Sequence, residues 1–365
     1  MKILLTGDLH LGKSYAKYPD IARPLSEARL RALQNVVDAA NREACDFFVI
    51  AGDLYDKTSG IGRELHQAAC RLLGEFSGQA VLVLPGNHDS YTDDKSPLWR
   101  DFEACAAPNT CLCRSCQPYP FDGVTFYACP CHDKHSRENA LSWLTSAPPA
   151  IPGQLSIGIA HGAVTGFSPD KDQLYYSMTP DELLSCNMDA WLIGHTHTRF
   201  AIENRIFNAG THQQTDIADG SSGEVYILDI GADKKVTANA LKTNVIRFVQ
   251  KEIRVDPTQH LADLLRLEAP GDSAAFVRVH LSGTASAEDY QNRNSLYQQI
   301  KEERGYLHFD VQDDDLQESI TPDMIDTIFP AGTTLHKLLH TYETDMALLN
   351  LAYALAKESQ PQERT

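Results

Sequence analysis

The sequence predicts an α/β fold: a wound sheet with chemistry at its strand ends, then a smaller α/β domain and a helical tail. Three observations predict it. Short apolar runs at Lys2–Thr6, Phe47–Ala51 and Ala80–Leu84 alternate with stretches whose apolar residues recur at helical spacing. Each run leads into a glycine accompanied by acids, amides or histidines. After about residue 245 the strand–helix alternation starts again without those polar clusters.

The run Phe47-Phe48-Val49-Ile50-Ala51 is apolar throughout, as a strand covered on both faces must be. Gly52 lets the chain leave the sheet sharply, and Asp53 then stands at the carboxyl edge, where ligands of α/β folds bind. The first strand leads likewise into Gly7-Asp8-Leu9-His10, and the third into Pro85-Gly86-Asn87-His88-Asp89. Between them, Leu30, Leu33, Val37, Ala40 and Ala44 mark a helix with Ser26 as candidate cap, and a second helix covers Glu64 to Phe76.

Residues 96–106 read as a helix. A hairpin is expected from Thr110 to Pro130, turning near Phe121-Asp122-Gly123. Strand Leu155–Ala160 ends at His161, and strand Ala190–Ile193 ends at Gly194-His195-Thr196-His197. Two more strands follow, Arg205–Ala209 and Gly223–Ile230. The second domain reads as strand Val245–Val255, helix Pro257–Leu267, strand Ala275–Leu281, helix Ala287–Arg304 and strand Tyr306–Val311. Thr321-Pro322 reads as a cap with proline at the first helical position. A final helix is expected from Thr334, and the last residues, from Glu358, read as frayed. The expected domains are 1–245, 246–318 and 319–365.

Hydrophobic residues make up 42% and charged residues 22%, which suits a globular chain, and no apolar run is long enough to span a bilayer. The start runs directly into a strand without a signal-peptide pattern, so the expected location is cytoplasmic, with no membrane partner. The net charge of −17 opposes a polyanionic partner, so any nucleic-acid contact must come from local cations or bound metal. Nine cysteines without a secretion signal predict reduced thiols.

The strand ends gather Asp8, His10, Asp53, Asn87, His88, His161, His195 and His197. Oxygen and imidazole ligands without a thiolate suit manganese, iron or zinc with open coordination positions. Asp-x-His and His-x-His can place one residue against each of two adjacent metals, the arrangement that clamps an in-line phosphoryl displacement.

These residues, as Asp8-x-His10, Gly52-Asp53, Gly86-Asn87-His88-Asp89, His161 and Gly194-His195-x-His197, resemble the calcineurin-like metallophosphoesterases over roughly residues 1–230. Within that superfamily, Gly7-Asp8-Leu9-His10-Leu11-Gly12, Gly52-Asp53-Leu54-Tyr55-Asp56 and the appended small domain resemble SbcD-like DNA repair nuclease subunits. The resemblance implies a β-sandwich flanked by helices in α-β-β-α layers, with a small α/β cap domain. It implies two divalent metals, most typically manganese. Asp8, His10, Asp53 and His197 would hold one; Asp53, Asn87, His161 and His195 would hold the other. Asp53 would bridge, because a carboxylate has two oxygens. His88 would face the leaving oxygen, with Asp89 orienting it.

The resemblance further implies a DNA exo- or endonuclease in repair, working with an SbcC-like ATPase as a homodimer, for which residues 91–106 are a candidate surface. A phosphodiesterase for a small phosphoester and a non-catalytic scaffold are the alternatives. One departure is Asp56, where archaeal and eukaryotic relatives carry a histidine; it reads either as an acid behind a ligand or as a turn cap.

Three features stay open. Lys13 could meet a phosphate or be solvated, as could Lys17, Arg63 and Lys95. Cys111, Cys113, Cys129 and Cys131, across a hairpin, could hold a structural zinc or be small half-buried thiols. Leu335, Leu338, Tyr342, Met346, Leu349, Tyr353 and Ala356 make one apolar stripe, which either packs on its own domain or grips the ATPase partner.

Overall fold

Every residue of Phe47–Ala51 is buried, because the strand is covered on both sides: Phe47 and Val49 point between two sheets, Phe48 and Ile50 toward helices. In the computed structural model, which describes residues 1–94, 96–147, 151–170, 172–218, 220–268 and 275–358, the chain divides into two units, Met1–Arg247 and Phe248–Thr365. Lys95 and the end of the chain after Glu358 lie outside the described residues.

The first unit runs β1 (Lys2–Thr6), α1 (Ala22–Arg42), β2 (Phe47–Ala51), α2 (Arg63–Gly74), β3 (Ala80–Leu84), α3 (Pro97–Cys105), β4 (Thr110–Leu112), β5 (Pro118–Phe121), β6 (Val124–Cys129), β7 (Leu155–His161), α4 (Pro180–Ser185), β8 (Ala190–Gly194), β9 (Phe200–Ile202), β10 (Ile206–Asn208), β11 (Glu224–Ile230) and β12 (Val236–Lys242). One sheet has the order β12-β11-β1-β2-β3-β4, the other β5-β6-β7-β8-β10-β9. Their inner faces share a core of Leu5, Val49, Leu82, Phe126, Ile159 and Leu192. On the outer face of the first sheet, Phe48 and Val83 meet Leu33 and Val37 of α1, Leu73 of α2 and Trp99 of α3. On the outer face of the second, Tyr127 and Trp191 meet Leu183 of α4. The layers are α-β-β-α, the β-sandwich flanked by helices that the family resemblance implies; the wound sheet read from the first strands is one of its two sheets.

Several local expectations change. Ser26 lies inside α1, and its hydroxyl donates to the Lys13 carbonyl instead of capping. The turn at Asp122-Gly123 joins β5 to β6, but β4 pairs with β3 in the other sheet. Cys111 and Cys113 therefore do not lie across a hairpin from Cys129 and Cys131. The Cys113 side chain enters the inter-sheet core, the Cys129 thiol accepts from the Trp143 indole at 3.2 Å, and the Cys131 thiol donates to the His161 carbonyl at 3.3 Å. Burial raises the pKa of all three, which keeps them protonated. Among the described residues no potential metal-binding group contains a cysteine, so the structural-zinc reading gives way to that of small thiols, with Cys113, Cys129 and Cys131 fully buried and Cys111 partly so. Cys70 on α2 and Cys105 on α3 are joined as a disulfide, against the expectation of reduced thiols, because the two helices pack side by side. The other seven cysteines are free.

The second unit runs β13 (Phe248–Val255), α5 (Leu261–Glu268), β14 (Phe276–Ala285), α6 (Ala287–Arg304), β15 (His308–Glu318), α7 (Pro322–Ile328), α8 (Thr334–Thr341) and α9 (Met346–Glu358). Its three strands are parallel in the order β13-β14-β15, with Leu261, Leu265 and Ile300 packed on the sheet. Thr321 caps α7 by accepting from the Met324 amide. The expected single tail helix is two, because the chain turns at Tyr342–Asp345 and Asp345 accepts from the Leu348 amide at the start of α9. Among the described residues no helix is long and apolar enough to cross a membrane.

Candidate metal centre

Parallel strands deliver their carboxyl ends to one edge. β1, β2 and β3 are mutually parallel, and so are β7 and β8. Where the two edges meet, a bridge pairs Gly7 with Thr211. A Cβ at Gly194 would run into the Ala51 carbonyl, and one at Gly52 would run into the His161 ring. Glycine at both places lets the sheets approach closely enough to share one pocket.

The expected ligands converge there. Asp8, His10, Asp53, Asn87 and His161 are 2% or less exposed. His10 Nε2 lies 3.1 Å from His197 Nε2, and Asp8 Oδ1 lies 4.0 Å from His197 Nε2. Asp53 Oδ2 stands between His10 Nε2 at 3.7 Å and His161 Nε2 at 3.5 Å. The Asn87 amide oxygen is 2.8 Å from His161 Nε2 and 3.3 Å from His195 Nδ1. The Nδ1–H of His161 donates to the Ala51 carbonyl at 2.8 Å, which turns its Nε2 lone pair into the pocket. Asp8, His10, Asp53 and His195 adopt positive φ values of 53°, 45°, 54° and 105°. Such backbone costs about 1–3 kcal/mol per residue and concentrates at functional sites.

Three buried carboxylates share this space. Burial pushes Asp8 up to about 6 and Asp89 up to about 7, and it pushes Asp53 well above the carboxylate range, with the Asp89 and Asp8 charges adding to the effect. Burial also holds His10 and His161 well below the ordinary histidine value and His195 near 4. Neutral imidazoles around crowded carboxylates are short of positive charge, and Asp8 Oδ1 is buried without a hydrogen-bond partner. The donor set of carboxylate, imidazole and amide oxygen fits divalent cations. Asp8, His10, Asp53 and His197 would hold one; Asp53, Asn87, His161 and His195 would hold a second.

Around this set Asp56 takes the first of its two expected roles, an acid behind a ligand, while Asp89 and Lys13 depart from the sequence reading. Asp56 is no simple turn cap: its Oδ1 lies 3.3 Å from His10 Nδ1, and its carbonyl accepts from His88 Nδ1–H at 3.0 Å. The expected contact of Asp89 with His88 is replaced by another. Asp89 accepts from the Tyr55 amide at 3.0 Å and the Gly86 amide at 2.7 Å, tying the loop after β3 to the loop after β2. The Lys13 ammonium sits 3.5 Å from Asp56 Oδ1.

Two residues were not singled out by the sequence. Arg29 of α1 is 1% exposed and donates to the carbonyls of Asp8 at 3.1 Å, Leu9 at 2.7 Å and Gln213 at 3.0 Å. Tyr175 lies along the His195 ring with centroids 5.0 Å apart. Arg29 stands among ordinary charged helix residues and Tyr175 in an irregular loop, so neither carries a local signal.

Comparison with known proteins agrees with the ligand pattern. The chain is 29% identical over 208 residues to an uncharacterized metallophosphoesterase, YhaO, of Bacillus subtilis strain 168; the match covers 53% of this chain and 47% of that protein. The chain thus spans about half the length of that relative. Similar solved structures include TT1561 of Thermus thermophilus, at a TM-score of 0.40 and 14% identity over 65% of this chain and 97% of that one. They also include YfcE, a phosphoesterase from E. coli, at a TM-score of 0.30 and 14% identity over 67% of this chain and 100% of that one. The family model for calcineurin-like phosphoesterases matches residues 1–199, more than half of the 365. The chain therefore belongs to the calcineurin-like phosphoesterase family, hydrolases of phosphoesters that use divalent metal.

Proposed function

We propose that this phosphoesterase is a cytoplasmic DNA nuclease that hydrolyses phosphodiesters in the repair or processing of DNA ends, with two manganese ions and an SbcC-like ATPase partner. The observation that carries the reading is the cleft at His88. A cavity of about 420 Å³ lies over His10, Asp53 and His197. A second, of about 610 Å³, shares Asn87 and His88 with the first and is lined by Lys57 and Lys134 together with Asp56, Asp93 and Asp133. A substrate ending at one phosphate needs one cavity. A polynucleotide needs room on both sides of the bond that breaks, and cations for the phosphates beyond it.

Bound divalent cations would supply Lewis-acid activation of the phosphorus. The chain's own part falls to His88. Its Nδ1–H is committed to the Asp56 carbonyl, so Nε2 is the nitrogen left for the leaving oxygen; only the imidazolium form, which burial disfavours, has an Nε2–H to give that oxygen a proton or offset its charge. Its backbone amide donates to Asp53 Oδ1 at 2.8 Å, so the loop that carries the acid is fixed to the bridging carboxylate.

The partner reading rests on the tail. α8 and α9 frame an apolar groove of about 300 Å³, where Leu338, Leu348, Leu351 and Leu355 are each at least 40% exposed. Such a groove suits an amphipathic helix, as from the base of a coiled-coil ATPase. A homodimer belongs to the same reading, but α3, in its candidate surface, spends Leu98, Trp99 and Phe102 on the internal core. The net charge of −17 favours a second reading, a phosphodiesterase for a small phosphoester.

Linear duplex DNA incubated with the protein and manganese, beside the His88→Ala variant, tests the proposal. Cleavage by the wild type, reduced about 10²–10⁴-fold in the variant, is the expected result. Intact DNA with rapid turnover of bis(p-nitrophenyl) phosphate would replace it with the second reading. Turnover of neither substrate, beside a stable ATPase complex, would leave a scaffold.

A further inference from the structure

The second unit contains another convergence of metal-ligating side chains. Asp326 lies on α7, and His336 and His340 are one turn apart on α8. Both Nε2 atoms meet the same carboxylate oxygen, Asp326 Oδ1, at 2.8 Å from His336 and 2.9 Å from His340. The two rings are 4.5 Å apart between centroids. The other nitrogen of His340, Nδ1, contacts the Glu343 carboxylate. His340 thus presents both ring nitrogens to carboxylate oxygens. A neutral imidazole has one N–H, so the two contacts together need either a second proton on the ring, which the Asp326 and Glu343 carboxylates favour, or a bound cation in its place.

We propose that Asp326, His336 and His340 form a binding site for a zinc-class transition-metal ion, separate from the phosphoesterase centre. Two imidazoles four residues apart on a helix project from one face and chelate a single ion. Glu343 accepts the Nδ1–H of His340 and so turns the Nε2 lone pair toward the ion, the usual carboxylate–histidine–metal arrangement. Two nitrogens and one carboxylate oxygen suit zinc, cobalt or nickel better than magnesium or calcium. The fourth position opens to water, since the Asp326 side chain is 57% exposed.

The site's place in the fold gives it a consequence. α7 and α8 are held together by Ile325, Phe329 and Leu339 on the inside, and the ion would pin them from the outside. At 100° per residue, His336 and His340 lie on the side of α8 turned away from Leu335, Leu338 and Tyr342, which line the apolar groove. An ion there fixes α8 without obstructing the groove. This inference does not depend on the identity of the substrate.

The test uses the full chain, stripped with chelator and dialysed against limiting zinc, with zinc per chain measured by elemental analysis. The residues of the phosphoesterase centre also suit zinc, so the reading is the difference between proteins. The wild type should hold one more equivalent than His336→Ala/His340→Ala, while manganese-dependent hydrolysis of bis(p-nitrophenyl) phosphate stays within about twofold. If the double variant does not fold, His336→Gln, with an unchanged circular dichroism spectrum, should lower the affinity of that equivalent about tenfold or more. Equal zinc content and equal affinity in wild type and variant would overturn the site.

Discussion

Asp56 Oδ1 stands 3.3 Å from His10 Nδ1, on the side of the ring opposite the metal pocket. The contact is one of charge and not a formed hydrogen bond; the carboxylate still favours a proton on Nδ1 and leaves Nε2 free as a ligand, so an acid behind the ring supports its affinity for a metal. Asp56→Ala should weaken manganese binding about 10–100-fold, with activity restored at saturating metal. Activity measured against manganese concentration checks this. His88 is held by the backbone carbonyl of Asp56, which the substitution keeps, so maximal turnover should be nearly unchanged. A loss that excess metal does not repair would place Asp56 in the chemistry instead.

Asp53→Asn tests the shared ligand. Asp53 Oδ2 lies within 4.0 Å of both His10 and His161 Nε2. An amide in its place keeps an oxygen for the His88 amide but loses the charge that offsets two cations. Turnover of DNA and of a small diester should fall together to background. A variant that keeps most of its turnover on either substrate would refute the bridging role.

How much of this was legible in the sequence depends on the range of each signal. Asp8, Asp53, Asn87, His161, His195 and His197 could be read because each follows a buried parallel strand, and parallel strands all bring their ends to one edge. The split into two sheets could not be read from the strands alone. Ala80–Leu84 and Leu155–His161 are both buried almost throughout, and membership is decided by the edge each strand finds. The same blindness placed Cys111 opposite Cys129, although β4 and β6 lie in different sheets. Asp56 could be located but its role could not, because the role depends on a ring 46 residues away.

Arg29 shows what lies outside local pattern altogether. Its guanidinium is spent on backbone carbonyls of the Asp8 loop and of Gln213, 184 residues distant. Arg29→Met keeps the volume and removes the donors; the Thr211 hydroxyl can still serve either the Asp8 or the Gln213 carbonyl, so the Leu9 carbonyl and one of those two are left unsatisfied, at about 1–3 kcal/mol each. The variant should lose about 2 kcal/mol or more. Urea denaturation in chelator checks this by a lower midpoint at unchanged slope. An unchanged midpoint would mean that water replaces the guanidinium without cost.

His212 turns the same region into a source of acid sensitivity. Its Nε2–H donates to the Arg29 carbonyl at 2.8 Å, and its buried Nδ1 has no hydrogen-bond partner. Burial, with the nearby Arg29 charge, lowers its pKa from 6.5 to about 3. Between those values the unfolded chain binds a proton that the folded chain refuses, so stability rises with pH across the window and falls as the solution is acidified below 6.5. The contribution approaches about 1.4 kcal/mol per pH unit. His212→Gln keeps a donor for the carbonyl and removes the titration. The stability difference between variant and wild type should therefore shift in the variant's favour by about 1.4 kcal/mol per unit as the pH falls from about 6 to about 4. Urea denaturation of both proteins across that range checks the slope. Because the ligand histidines titrate identically in the two, parallel curves would mean that His212 accepts a proton in the folded state after all.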